Sequence, residues 1–177
     1  MKLILTAGMP GAGKEEFLIA ASDSGIPFLR MGDIVREYYA KRDETDSELT
    51  TGQFANIERD RHGFDIWAKR AVEKMHGDMF MVDGCRSMDE VRAYLGITPD
   101  VTVIGIFASP ATRYERLVKR GREDAPKDIE EFRARDKREM GWGLADTMAL
   151  ADRMIVNESS LDDFRKEVKR VMEELRG

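Results

Sequence analysis

The sequence predicts an α/β fold, a parallel sheet covered by helices on both faces. Three observations point to it. Five short apolar runs alternate with amphipathic segments along the chain. The runs lack polar alternation, as expected of strands buried on both faces. The first run leads directly into a glycine-rich loop and then a helical pattern, the order strand, loop, helix.

The strand candidates are 2–7 (KLILTA), 27–31 (PFLRM), 79–83 (MFMVD), 101–107 (VTVIGIF) and 153–156 (RMIV). A helix is expected over 14–24, where Phe17, Leu18 and Ala21 share a face and Gly25 stops it. Ile34, Val35, Tyr38 and Tyr39 give 33–40 a helical period. Ser87 and Glu90 have capping-box spacing before Val91, Tyr94 and Leu95. Ser109-Pro110 is an N-cap followed by proline at the first helical position, opening a helix with Tyr114, Leu117 and Val118. Ser160 opens a last helix carrying Phe164, Val168, Val171, Met172 and Leu175. Short turns imply right-handed crossovers. Ligands in such sheets bind at the carboxyl ends of the strands. Those ends carry 8-GMPGAGK-14, 31-MGD-33, 83-DGCRS-87, 108-ASP-110 and 157-NES-159.

Composition narrows the function classes. The 177 residues suit a single domain over 1–177. With 42% hydrophobic and 36% charged residues, the chain reads as globular rather than disordered. A net charge of −5 argues against nucleic acid as a partner. The longest apolar run, 103-VIGIFA-108, is too short for a bilayer, and the N-terminus lacks a signal-peptide layout. The single cysteine, Cys85, excludes an internal disulfide and suits a reducing cytoplasm. His62 and His76 lack the companions of a His/Cys metal site. Nothing in the sequence assigns an oligomeric state.

The spacing G-x-x-x-x-G-K is met by Gly8, Gly13 and Lys14. Glycines at 8, 11 and 13 are expected to take positive φ and turn backbone N–H groups inward as an anion nest. Gly8, Met9, Pro10, Gly11, Ala12, Gly13, Lys14 and Glu15 are thus the candidate nucleotide-binding residues, with Lys14 on the β- and γ-phosphates. The residue after the lysine is Glu15 where a hydroxyl residue usually ligates Mg²⁺. Glu15 either ligates the metal, turns to solvent as a first-turn acid, or weakens metal binding.

Asp83 closes an apolar strand and is the second candidate metal ligand; the alternative is a turn cap. Arg86 leaves the same edge with a fork suited to phosphate, or forms a surface ion pair. Asp33 contacts an acceptor hydroxyl or ribose, or caps a helix; Arg36, one turn on, grips an acceptor phosphate or faces solvent. Residues 113–138 carry Arg113, Arg116, Arg120, Arg122, Arg133, Arg135 and Arg138 interleaved with acids. Segment 120-RGREDAP-126 reads as a loop between two charged helices; either it closes over phosphates, with Arg116, Arg120 and Arg122 stabilising the moving group, or it joins two solvated helices held by i,i+4 pairs. Asn157 reads a base edge or is a plain turn residue.

Together these segments resemble the nucleoside-monophosphate-kinase branch of P-loop proteins. 83-DGCRS-87 and 31-MGDIVRE-37 are similar to adenylate-kinase segments, and 136-DKREM-140 with 151-ADRMIVNESSLDDF-164 is similar to dephospho-CoA kinases. The whole chain resembles an archaeal adenylate-kinase-related, dephospho-CoA-kinase-like family. That resemblance implies a three-layer P-loop NTPase fold with strand order 2-3-1-4-5. It also implies ATP at Gly8–Glu15 and an acceptor region at about 33–76; the residues themselves add the expected Mg²⁺ and a lid at about 113–140. A kinase acting on a small nucleotide-like acceptor is the leading expectation. A nucleotide-binding module without efficient transfer is the rival, and Glu15 is its main support.

Overall fold

A computed structural model describes residues 1–42, 49–122 and 125–176. The strands are β1 (Lys2–Ala7), β2 (Phe28–Arg30), β3 (Met79–Asp83), β4 (Val101–Phe107) and β5 (Arg153–Val156). They form one sheet in the order β2-β3-β1-β4-β5, and every pairing is parallel. The helices are α1 (Glu15–Asp23), α2 (Met31–Ala40), α3 (Thr51–His62), α4 (Ile66–Val72), α5 (Met88–Leu95), α6 (Pro110–Arg120), α7 (Ile129–Gly141), α8 (Leu144–Ala149) and α9 (Leu161–Arg176).

Apolar strands without alternation have two faces to bury, and the sheet buries both. Leu3, Leu5, Ala7, Phe80, Val82 and Val103 pack on one side with residues of α2, α3, α4, α5 and α8. Ile4, Met81, Ile104, Ile106 and Ile155 pack on the other with α1 and α9. Each fully buried Leu or Ile contributes about 1.5–3 kcal/mol, so the central strand is the best anchored part of the fold. The loop that follows it inherits that rigidity. Leu117 of α6, Phe132 of α7 and Trp142 just beyond it are buried outside both cores, with Tyr114 of α6 edge-on to Phe132.

Local structure departs from expectation in four places. The second strand is only Phe28–Arg30, and its helix begins at Met31 rather than 33. Helices α3, α4 and α8 escape the apolar period, α3 because it buries only Phe54 and Ala55 among its apolar residues, α4 and α8 because they span only seven and six residues. Their one clear mark is the capping box of Thr50 and Gln53. At α5 the box is half made: Ser87 accepts from the Glu90 amide at 3.1 Å, but Glu90 reaches back to the amide of Arg86 at 2.7 Å. The loop expected at 120–126 is described in part, since Glu123 and Asp124 lie outside the described residues, as do residues 43–48 of the acceptor region. Among the described residues no helix is long and apolar enough to cross a membrane.

Candidate active site

The loop after β1 is shaped by glycine and by crowding. Gly11 and Gly13 have φ of 84° and 106°, where any side chain is strained. Gly8 does not share that conformation, contrary to expectation. Space fixes it instead, because a Cβ there would lie 2.7 Å from the Ile106 carbonyl oxygen. The loop thus lies against β4 and delivers its amides to the N-terminus of α1, a ready site for anions.

Lys14 folds back over the loop. Its Nζ donates to the Gly8 carbonyl at 2.7 Å and approaches that of Met9 at 3.4 Å. Burial pushes its pKa below the ordinary lysine value, with Asp83 the chief opposing influence. An anion beside such an ammonium would favour the charged form.

Asn157 corrects the base-reading expectation. Its Nδ2 donates to the Ala12 carbonyl at 2.8 Å, its Oδ1 accepts from Arg116 at 3.3 Å, and it is 4% exposed. The amide therefore buttresses the phosphate loop from β5. Its partner Arg116 leaves Nη1 buried without a hydrogen-bond partner among the described residues. Asn157→Ala is expected to lower stability by about 1–2 kcal/mol through the orphaned Ala12 carbonyl. It should also weaken nucleotide binding several-fold. Chemical unfolding and a nucleotide titration check both.

Asp83 is placed by strand register. It lies opposite Thr6 on β1 and opposite Arg30 on β2, so the three form one row at the sheet's carboxyl edge. Thr6 Oγ1 donates to Asp83 Oδ1 at 2.7 Å, leaving the carboxylate facing the cleft. Glu15 does not stand free beside it. Arg30 Nη2 donates to Glu15 Oε1 at 2.5 Å, and the two side chains are 37% and 43% exposed. Among the described residues no group of three or more His, Cys, Asp or Glu forms a metal cage. Mg²⁺ needs none, since it is usually held by one or two carboxylates with phosphate and water oxygens. Asp83, with Glu15 across the loop, fits that donor set.

Arg86 lines the cleft and is also ion-paired, to a buried acid rather than on the surface. Its Nε donates to Glu139 on α7 at 2.7 Å, and its guanidinium lies 5.4 Å from the Trp142 ring. Burial lowers the Arg86 pKa, but Glu139 and then Glu90 outweigh it and the net shift is upward. Burial raises the Glu139 pKa, but Arg86, Lys14 and Arg135 hold it below the usual carboxylate range. The pair is therefore charged. Asp33 and Arg36 pair with each other on the exposed face of α2. Arg36 lines the cleft and Asp33 does not, so direct contact of Asp33 with an acceptor is not what this geometry offers.

The cleft has a volume of about 590 Å³. It runs from the phosphate loop across the ends of β2 and β3 to α6 and α7. Lys14 comes from the loop, Arg30 and Arg36 from β2 and α2, and Arg86 from the end of β3. Arg116, Lys119 and Arg120 come from α6, Arg122 from the loop beyond it, and Arg135 from α7. Three carboxylates, Glu15, Glu16 and Asp83, face these nine cations. Such a surface focuses field lines on a polyanion.

Arg30 and Glu139 escaped the sequence reading, and Arg113 and Arg135 were given no role of their own in it. Arg30 and Arg135 line the cleft. Arg113 is 3% exposed and lies under the loop. It donates to the carbonyls of Ala108 at 3.1 Å and Pro10 at 3.2 Å, and to both Asp136 oxygens at 2.8 and 2.6 Å. Glu139 anchors Arg86. For two of them a signal existed: Arg113 shares the face of Leu117 on α6, and Asp136 and Glu139 share that of Phe132 on α7.

Residues 7–133 match the family described as AAA domain. A UPF0200 protein of Thermoplasma volcanium is 40% identical over 171 residues, covering 96% of each chain. A UPF0200 protein of Hyperthermus butylicus is 42% identical over 178 residues, covering 99% of this chain and 95% of its own. In structure the chain is similar to a shikimate kinase from Bacteroides thetaiotaomicron, with a TM-score of 0.64 at 16% identity over 99% of both chains. A gluconokinase from Sinorhizobium meliloti also scores 0.64, at 17% identity over 98% of this chain and 93% of its own. At such identity the likeness is one of fold.

Proposed function

The chain belongs to the UPF0200 family of archaeal AAA-domain proteins, and on that premise we propose that it is an ATP-binding small-molecule kinase. It transfers the γ-phosphoryl group to a nucleotide or nucleotide-like acceptor, of the nucleoside-monophosphate or dephospho-CoA type. The observation that carries this reading is the cationic cleft with arginines on both sides of the phosphate loop. A site that only bound a nucleotide would have less use for Arg36 and Arg86, which lie on the side away from α6.

In this reading the loop amides and Lys14 hold the β- and γ-phosphates. Asp83, oriented by Thr6, and Glu15 would hold Mg²⁺, whose charge would offset that of the phosphates. Arg36 and Arg86 grip the acceptor's phosphate, and Asp33 acts through Arg36 by fixing its guanidinium. Arg116, with its unpartnered Nη1, Arg120, Arg122 and Arg135 stabilise charge on the group in transit. Residues at about 33–76 form the acceptor side and about 113–140 the lid. Catalysis is positioning and electrostatics.

The rival reading is a nucleotide-binding module or slow NTPase. It is favoured by Glu15 at the hydroxyl position and by the commitment of Arg86 to Glu139. Phosphoryl transfer from ATP–Mg²⁺ to AMP, CMP, UMP, GMP, their deoxy forms and dephospho-CoA, read by product mass, decides between them. One acceptor phosphorylated far faster than water supports the kinase. Transfer to none, with ATP still bound, supports the module.

A further inference from the structure

We infer that Glu15 and Arg30 form an exchangeable pair that sets how strongly nucleotide binding depends on a divalent cation. This rests on the nucleotide-binding part of the reading above and goes beyond it. Four observations carry it. Glu15 occupies the loop position where a neutral hydroxyl usually meets the metal. Its carboxylate is bonded to Arg30 at 2.5 Å, and both side chains line the cleft. Arg30 ends β2 in register with Asp83, the other candidate metal ligand. Both partners are about two-fifths exposed, so the pair can open without unpacking the core.

The physical consequence follows from charge. A bare carboxylate beside the β- and γ-phosphates repels them when no cation is present, and becomes a hard oxygen ligand when one is. Arg30 removes most of both effects by holding the carboxylate. The intact pair therefore acts as a nearly neutral substitute for the hydroxyl. Opening it converts Glu15 into a ligand and makes binding metal-dependent. Any anionic group that draws Arg30 away would have the same effect, so an acceptor phosphate at Arg30 would strengthen the hold on the metal.

The test is a four-protein comparison of wild type, Arg30→Gln, Glu15→Gln and the double variant. The probe is AMP-PNP, titrated by calorimetry with Mn²⁺ and again with EDTA. The readout is the ratio of the two dissociation constants, a binding coupling between cation and nucleotide. Thermal unfolding confirms that each variant is folded. The ratio is expected to rise about tenfold or more in Arg30→Gln, within the usual span of such couplings. It should not rise in Glu15→Gln, and the double variant should follow Glu15→Gln, because without the carboxylate Arg30 has nothing to restrain. A ratio unchanged or lowered by Arg30→Gln overturns the inference. So does a double variant that follows Arg30→Gln. If the expected pattern appears while no acceptor is phosphorylated, the pair stands and the kinase reading falls. If wild type binds AMP-PNP under neither condition, both fall.

Discussion

Lys14→Met should lower phosphoryl transfer by about 10³-fold or more, in the range seen when a preorganised charge on the moving group is removed. The same protein, free of ligand, should unfold within about 1 kcal/mol of wild type. These two outcomes have one cause. Among the described residues the ammonium has no carboxylate hydrogen-bonded to it and leans on the carbonyls of Gly8 and Met9. Burial lowers its pKa, which means the site resists the charge until an anion arrives. Removing the charge relieves that cost and also removes the Gly8 hydrogen bond, and the two nearly cancel. Product mass and denaturant unfolding on one preparation check the pair of results. A loss of several kcal/mol would show that Lys14 holds the loop together, and near-normal turnover would remove it from the mechanism.

Asp136→Ala should destabilise the protein by about 3–5 kcal/mol, because it leaves the Arg113 guanidinium buried without its counter-charge. For a chain of this size that is a drop of roughly 10 °C in Tm. The bidentate geometry and the 3% exposure of Arg113 place the pair among buried ones, where removing a single partner is most damaging. The double variant Arg113→Met with Asp136→Leu should recover much of the loss, since no charge is then stranded. It should not recover nucleotide affinity. Arg113 also donates to the Pro10 carbonyl, so without it the phosphate loop loses a support from α6. Melting temperatures paired with nucleotide titrations separate the two roles. Equal loss of affinity and stability in both variants would assign Arg113 to folding alone.

The contrast between these residues explains what was legible in the sequence. Phosphate-loop glycines and Lys14 act through the backbone and through local spacing, so a short window of sequence displays them. The strands could be read because a continuous apolar run such as 101-VTVIGIF-107 suits little else at that length. Partners could not be read. Arg86 and Glu139 are separated by 53 positions, Arg116 and Asn157 by 41, and nothing local in either member names the other. Asn157 looked like a turn residue or a base reader because its target, the Ala12 carbonyl, lies 145 positions away. Glu15 and Arg30 are only 15 apart, yet their meeting depends on β2 lying beside β3 rather than beside β1. Helices α3 and α4 were missed for a different reason. Much of the buried face of α3 is filled by charged groups, with Arg59 at 2% and Glu58 at 7% exposure, so its apolar period fails; α4 buries Trp67, Ala68 and Ala71 but spans only seven residues, too few to display a period.

The strand order also bears on how the chain assembles as it is synthesised. β1 is the first strand to be made, and it pairs only with β3 and β4. Its nearest partner begins at Met79, so the apolar stretch Leu3–Ala7 has no sheet to join until about half the protein has emerged. The support for the phosphate loop from Asn157 comes later still, 145 positions after the Ala12 carbonyl it holds. Contacts this distant in sequence slow folding, because the chain between them must be closed first. The phosphate loop is therefore made well before the last of its supports, and chains shortened before β5 would carry the loop without the Asn157 prop.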